Sequence, residues 1–130
     1  MENNILQTEL SSLLKDRFSI SKSTRANYAR GEDAYDAVLS QAVVFPETNE
    51  EVSKILSLCN KHKIPVVPFG TGTSLEGNAV GNENGVTLSL EKMNKVLSVN
   101  AEDFDCRVQA NVTRKQLNEH LRDDGVFFSN

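Results

Sequence analysis

The stretch AVVFPETNEEVSKILSLCNKHKIPVVPF, residues 42–69, determines the fold of this chain. It opens with a β-branched apolar run that stops at Pro46 and is typical of a buried strand. It closes with a second strand-like run over 64–69, which Pro65 and Pro68 confine to a place where their missing N–H groups do no harm. Between the two runs, Thr48 is followed three residues later by Glu51, the spacing of a capping box that starts a helix. The stretch therefore predicts a βαβ unit with parallel strands and a right-handed crossover.

The helix inside this unit carries apolar residues at helical spacing. We expect one buried stripe, formed by Val52, Ile55, Leu56 and Cys59. Upstream, leucine spacing predicts an amphipathic helix over residues 4–15, whereas residues 19–40 lack a period and are predicted to form an irregular connection.

Downstream of residue 85 the apolar pattern changes to period two. Alternation predicts three half-buried strands, the last two as a hairpin, at 86–90, 97–99 and 106–112. A second capping box, from Thr113 to Gln116, predicts a helix with Leu117 and Leu121 on its inner edge and Gly125 as a left-handed stop. Residues 126–128 then predict another strand. Together these elements predict an α+β fold.

The composition is that of an ordinary globular domain, with 130 residues of which 38% are apolar and 25% charged. Fourteen Lys and Arg against eighteen Asp and Glu give a net charge of −4, which argues against a nucleic-acid partner or an anionic membrane partner. No membrane span, signal peptide or transit peptide is recognised in the sequence. We therefore expect a cytoplasmic protein, in which any contact with the inner membrane is made through parts outside these residues.

The cysteines and histidines do not form a metal-binding pattern. Cys59 and Cys106 stand far apart, with no CxxC, and we expect two buried, inert thiols rather than a disulfide or a zinc site. His62 and His120 each lie late in a predicted helix, so we expect exposed or capping roles and no metal.

A glycine-rich loop follows the second strand of the βαβ unit. Five of the seven glycines lie between residues 70 and 85, and the loop core reads GTGTSLEGN over 70–78. Ligands of open α/β sheets bind beyond the carboxyl ends of strands, and successive N–H groups in such a turn form an anion-binding nest. A glycine-rich surface turn without a ligand has the same composition, so both interpretations stay open on composition alone.

Two familiar phosphate motifs fail in this loop. The dinucleotide motif GxGxxG needs a third glycine where Leu75 stands, and the Walker A motif needs lysine and a hydroxyl residue where Asn78 and Ala79 stand. The remaining interpretation is a loop that wraps a phosphate with backbone N–H groups and with the hydroxyls of Thr71, Thr73 and Ser74. The pyrophosphate of a cofactor would suit it.

The segment PVVPFGTGTSLEG, residues 65–77, resembles the flavin pyrophosphate loop of the PCMH-type (vanillyl-alcohol-oxidase-like) FAD enzymes. Within them it is most similar to the D-lactate dehydrogenase (cytochrome) and glycolate oxidase FAD-subunit branch. The similarity extends over residues 28–128, including 42–53 and 112–123. Relatives that oxidise 2-hydroxyglutarate carry asparagine near the middle of the loop, so Thr71 and Thr73 favour the lactate and glycolate side.

This resemblance implies FAD as cofactor. It implies that ten residues contact the FAD pyrophosphate and the adjacent ribityl: Pro68, Phe69, Gly70, Thr71, Gly72, Thr73, Ser74, Leu75, Gly77 and Asn78. It also implies an oxidoreductase that converts a D-2-hydroxy acid, D-lactate or alternatively glycolate, to the 2-keto acid, with electrons passing to a cytochrome or quinone. Residues 1–27 would then be a helix and lead-in, and 28–130 the first half of the FAD-binding domain.

The chain also departs from that family pattern. Asn78 stands where many relatives have a second glycine, and Gln109-Ala110-Asn111 replaces an acidic-Pro-Gly turn. We expect the catalytic residues in a C-terminal part outside these 130 residues, which alone are expected to be inactive. Two other function classes remain: a phosphate- or nucleotide-binding module without catalysis, and a structural interaction domain. Bound flavin would distinguish the enzyme from both.

Overall fold

The computed structural model describes residues 4–129, which form two compact units that divide between Lys92 and Met93. The first unit contains three helices and four strands in the order α1 (Asn4–Leu14), β1 (Phe18–Ser19), α2 (Lys22–Asn27), β2 (Ala42–Val44), α3 (Asn49–Lys61), β3 (Val66–Phe69) and β4 (Val86–Ser89). The second unit contains β5 (Val96–Asn100), β6 (Asp105–Val108) and α4 (Arg114–Leu121). Short 3₁₀ turns follow α1, β5 and α4. The mixture of helices and strands confirms the predicted α+β class.

The sheet of the first unit has the order β1-β2-β4-β3. Strand β4 pairs in parallel with both β2 and β3, and β1 pairs antiparallel with the outer side of β2. The predicted βαβ unit is confirmed in that β2, α3 and β3 follow one another and the two strands run parallel. Strand β4 lies between them, so the carboxyl ends of all three parallel strands meet at one edge.

Strand β4 is more buried than predicted. All four of its residues are buried, although alternation predicted a half-buried strand. The reason is its central place, because a strand flanked on both sides is buried on both faces. Its polar Thr87 is accommodated by donating a 2.7 Å hydrogen bond to the hydroxyl of Ser40.

Helix α3 packs on the core through a stripe that differs slightly from the predicted one. Ile55 and Cys59 are buried as expected, and Val52 is partly buried. Leu56 is 45% exposed, so its predicted place in the stripe is wrong. Instead of Leu56, Leu58 packs against the core, to which the leucines of α1 also belong.

The segment from 19 to 40 is not the irregular connection that was predicted. It contains the end of β1 and the whole of α2, whose first turn is capped by the side chain of Ser21 accepting from the N–H of Thr24. Both elements are too short to show a hydrophobic period, since α2 has six residues and β1 has two. Residues 28–41 then run without helix or strand to β2.

The second unit confirms the hairpin and the helix but not the final strand. Strands β5 and β6 pair antiparallel, Leu117 and Leu121 of α4 are buried, and Gly125 is left-handed with φ +72°. Residues 126–128 form no strand, and Phe127 is 79% exposed. The side chain of Asn118 instead makes both backbone hydrogen bonds of Phe128, accepting from its N–H and donating to its carbonyl.

Thr48 caps α3 as predicted, with its hydroxyl accepting a 3.1 Å hydrogen bond from the N–H of Glu51. We expect Thr48→Ala to lower the free energy of unfolding by about 1 kcal/mol, because the first turn loses an acceptor. Urea unfolding measures this loss. Thr8→Ala is the matched control, because that exposed hydroxyl only donates to Asn4 within α1. An equal loss in both variants would contradict the cap.

Candidate functional site

The glycine-rich loop leaves the sheet where β3 ends, at the edge formed by the carboxyl ends of the parallel strands. Residues 70–85 contain neither helix nor strand, as the sequence indicated. Phe69 is the last residue of β3 and pairs with Ser89 at the end of β4. The loop therefore lies in the position where parallel α/β sheets bind ligands.

The backbone of this loop offers unpaired hydrogen-bond donors. Within the described part of the chain, no N–H from residue 70 to residue 79 donates to another protein group. The backbone turns at two glycines in the left-handed conformation, with φ of +75° at Gly72 and +77° at Gly77. Successive free N–H groups around left-handed residues make an anion-binding concavity.

The hydroxyl groups of the loop add further polar atoms to this concavity. The Oγ1 atoms of Thr71 and Thr73 lie 3.1 Å apart, and the Ser74 hydroxyl donates a 2.8 Å hydrogen bond to Oδ1 of Asn78. The cavity has a volume of about 390 Å³ and is lined by Pro68, Gly70, Thr71, Gly72, Thr73, Ser74, Asn78 and Ala79. Seven of the ten predicted cofactor-contacting residues therefore line one cavity.

The other three predicted residues are placed differently. Phe69 is buried beneath the loop, whereas Leu75 is exposed on its outer side. Gly77 lies against the ring of Tyr35, whose Cδ2 would be 3.0 Å from a Cβ built on that glycine. These positions suit a supporting role for Phe69 and Gly77. Contact of all ten residues with FAD stays a prediction.

The loop offers dipoles rather than basic side chains to a ligand. Between residues 68 and 79 the only charged side chain is that of Glu76, which is exposed. A phosphate held here would depend on backbone N–H groups and hydroxyls, which form charge-assisted hydrogen bonds to an anionic oxygen. The donor set therefore fits the pyrophosphate of a dinucleotide cofactor and lacks the lysine of a nucleotide-hydrolysing loop.

The sequence analysis missed the supports of this loop, which come from residues 28–41. The N–H of Gly81 donates to the carbonyl of Ala29 over 2.9 Å, and the N–H of Asn82 donates to the Ser40 hydroxyl over 3.0 Å. The Ser40 hydroxyl also accepts from Thr87 of β4. Serine and threonine beside apolar strands are the one sequence signal of this network.

The histidines and cysteines lie outside the loop. His62 ends α3, and its Nε2 lies 3.0 Å from a carboxylate oxygen of Glu9 on α1, a contact that lowers the pKa of Glu9. Cys59 is buried as predicted, and burial raises the pKa of its thiol to about 11. Cys106 is partly exposed, so its predicted burial is wrong. Among residues 4–129, no group of three metal-ligating side chains lies together.

Most of the sequence matches a known protein family. Residues 40–130 match the family model described as FAD binding domain. The chain belongs to this FAD-binding domain family, and FAD is the cofactor of the domain. The match begins at Ser40 and includes the parallel strands, the glycine loop and the whole second unit.

Sequence relatives of this FAD-binding domain include D-lactate dehydrogenases and a glycolate oxidase subunit. It is 42% identical over 110 residues to a probable mitochondrial D-lactate dehydrogenase of Danio rerio, covering 85% of this chain and 22% of the relative. It is 34% identical over 125 residues to a mitochondrial D-lactate dehydrogenase (cytochrome) of Arabidopsis thaliana, covering 95% of this chain and 22% of the relative. A glycolate oxidase subunit of Bacillus subtilis is 32% identical, over 79% of this chain and 23% of the subunit. The chain thus spans about a fifth of these relatives.

Solved structures share the fold of this FAD-binding domain. It superimposes on p-cresol methylhydroxylase with a TM-score of 0.83 at 26% identity, over 98% of this chain and 27% of that one. The TM-score with alkyldihydroxyacetonephosphate synthase is 0.87 at 22% identity, over 98% of this chain and 26% of that one. These matches confirm the expected PCMH-type fold. None of the helices within residues 4–129 is long and apolar enough to cross a membrane.

Proposed function

We propose that this chain is the FAD-binding part of a flavoprotein dehydrogenase, and that its glycine loop holds the FAD pyrophosphate. The observation that carries the proposal is the run of unpaired N–H groups from 70 to 79, arranged around the left-handed Gly72. Oxygens of a pyrophosphate accept several such hydrogen bonds at once, each worth about 1.5–3 kcal/mol when one partner is charged. The hydroxyls of Thr71 and Thr73 add to the donor set, whereas the Ser74 hydroxyl donates to Asn78 within the loop.

The substrate we propose is a small D-2-hydroxy acid, with D-lactate the first candidate. The support is the similarity to D-lactate dehydrogenases at 34–42% identity through the whole loop region. FAD held by these residues would supply a two-electron acceptor for the oxidation of the 2-hydroxy acid to the 2-keto acid. We propose that a cytochrome or quinone then accepts the electrons. This chain's own residues bind and orient the cofactor.

The test uses the full-length protein purified without added flavin. We expect a yellow protein whose absorbance near the flavin maximum is lost anaerobically on addition of D-lactate and is unchanged by L-lactate. Glycolate is tested in parallel, because similarity to a glycolate oxidase subunit supports it as the alternative substrate. Bleaching by glycolate but not by D-lactate would move the proposal to that substrate. A yellow protein that neither acid bleaches would contradict the substrate class.

A colourless protein that takes up no added FAD would contradict the proposed function. It would favour the alternative that the loop binds a phosphate or nucleotide without catalysis.

A matched pair of variants locates the site. Thr71→Val with Thr73→Val should weaken FAD binding about tenfold, because the two hydroxyls bond to each other and leave one hydrogen to donate to the phosphate, worth about 1.5 kcal/mol. Thr8→Val, an exposed threonine of α1 away from the loop, should leave FAD binding unchanged. We expect the 130 residues alone to bind FAD weakly or not at all.

A further inference from the structure

Tyr28 of the first unit lies beside the carboxyl ends of the three parallel strands. It follows directly on α2 and contacts a residue at the end of each strand. Its ring lies 5.4 Å from the ring of Phe45, which follows β2, and 5.2 Å from the ring of Phe69, which ends β3. Its hydroxyl donates a 2.9 Å hydrogen bond to Glu91, which follows β4.

The two ring contacts have the edge-to-face geometry that aromatic pairs prefer. The interplanar angles are 76° with Phe45 and 78° with Phe69. Phe45 and Phe69 are both buried, so the rings have little room to turn. The hydrogen bond to Glu91 also fixes the phenol of Tyr28. Burial and this hydrogen bond raise the pKa of Tyr28 to about 12, so the hydroxyl stays protonated and donates.

Phe69 transmits this arrangement to the glycine loop. A Cβ built on Gly72 would lie 2.7 Å from Cζ of Phe69, so the ring lies directly against the backbone of that left-handed turn. Displacement of the Phe69 ring would remove the surface on which Gly72 rests. The free N–H groups on either side of Gly72 are those proposed to hold the pyrophosphate.

We propose that Tyr28 is a positioning residue for FAD binding, which fixes Phe69 and through it the turn at Gly72. This inference rests on the proposed function, and it adds a residue that lies outside the loop and outside the region that matches the family model. Tyr28 acts through another side chain and need not contact FAD. Its role is to keep the loop in the binding conformation before the cofactor arrives, which reduces the ordering cost of binding.

Three variants of the full-length protein test the proposal. Tyr28→Leu removes the ring contacts and the hydroxyl, Tyr28→Phe keeps the ring, and Phe18→Leu is the matched control. Phe18 lies in β1 and packs, partly buried, against the core, so its loss perturbs stability without acting on Phe69. The readouts are the FAD dissociation constant, kcat at saturating FAD, and amide hydrogen exchange of residues 80–82 in the FAD-free protein, because the N–H groups of these three residues are hydrogen-bonded at the end of the loop.

Tyr28→Leu should raise the FAD dissociation constant about tenfold and speed amide exchange over 80–82, where Gly81 is bonded to Ala29 beside Tyr28, with kcat at saturating FAD close to that of the parent. Tyr28→Phe should restore FAD binding to within about threefold, because both ring pairs remain. Phe18→Leu should change neither binding nor exchange. Unchanged binding in Tyr28→Leu, or an equal loss in Phe18→Leu, would overturn the proposal.

The exchange measurement separates this proposal from the proposed function. If the parent protein binds no FAD, the proposed function fails, and amide exchange over 80–82 still shows whether Tyr28 orders the loop. If the parent binds FAD and exchange in Tyr28→Leu matches that of the parent, the proposed function stands and the role of Tyr28 is overturned.

Discussion

Gly72→Ala is expected to weaken FAD binding by the full-length protein about 100-fold, equivalent to about 3 kcal/mol. Alanine at φ +75° costs about 1–2 kcal/mol relative to a right-handed conformation. The new Cβ would also lie 2.7 Å from Cζ of Phe69, a distance that carbon atoms do not tolerate. Because Phe69 is buried against Tyr28, its ring cannot move away and the loop must move. The N–H groups of the loop then no longer point towards one site.

Gly125→Ala provides a closely matched control for this effect. Gly125 has nearly the same backbone conformation, with φ +72°, and a Cβ there would meet nothing within 4 Å. Both variants should lose about 1 kcal/mol of unfolding free energy through backbone strain. Only Gly72→Ala should lose FAD affinity, measured by titrating the FAD-free protein and following flavin fluorescence. Equal FAD affinity in the two variants would show that the turn at Gly72 does not form the site.

The glycine loop was predictable from the sequence because its composition marks it. Glycine and hydroxyl residues are concentrated in GTGTSLEGN, and a capped helix between two apolar runs indicates the parallel strands that precede it. The glycines and hydroxyl residues that form such a loop are neighbours in the sequence, so a short stretch is sufficient to recognise it. The same reasoning predicted the cap by Thr48 and the left-handed Gly125, both of which depend on residues within one turn.

The supports of the loop were not predictable in the same way. The hydrogen bonds from Tyr28 to Glu91 and from Thr87 to Ser40 each join residues more than forty positions apart. No periodicity records such contacts, because a single side chain in an irregular segment makes each one. The order of strands was hidden for a related reason. Strand β4 pairs with β2 and β3, which are distant from each other in the sequence. This pairing buries both faces of β4, although its alternating apolar and polar residues predicted one exposed face.

Local composition also misled at the end of the described chain. Val126-Phe127-Phe128 has the apolar character of a strand, and strand formation requires a partner as well as propensity. In the described residues of the second unit, the backbone of Phe128 is bonded to the side-chain amide of Asn118. An amide side chain that replaces a neighbouring strand has no signature in the residues it binds.

The ion pair between Arg17 and Glu51 is expected to give the first unit a pH-dependent stability. The guanidinium donates two hydrogen bonds to the carboxylate, and the Nη1 bond to Oε1 measures 2.7 Å. Both side chains are less than one-fifth exposed. The hydrogen bonds from Arg17, followed by the N–H of Glu47, lower the pKa of Glu51 to about 2. Arg17 also donates to the carbonyl of Phe45, so the pair joins α3 to the end of β2.

The direction of the effect follows from the two pKa values of Glu51. In the unfolded chain the group titrates near 4.3, so the folded state, with its pKa near 2, binds fewer protons between those values. The stabilisation is therefore complete above about pH 5 and is lost as the pH falls towards 2. We expect a contribution of about 2 kcal/mol, which allows for the remaining solvent access to both groups.

Arg17→Met should accordingly lower the free energy of unfolding by about 2 kcal/mol at pH 7 and by less than half as much at pH 2. Lys61→Met is the control, because Lys61 is exposed and its nitrogen lies 3.6 Å from Glu9, a surface pair that contributes little. Urea unfolding at the two pH values measures all three proteins. A loss in Arg17→Met that is as large at pH 2 as at pH 7 would show that Arg17 stabilises the unit through packing of its aliphatic stem rather than through the carboxylate of Glu51.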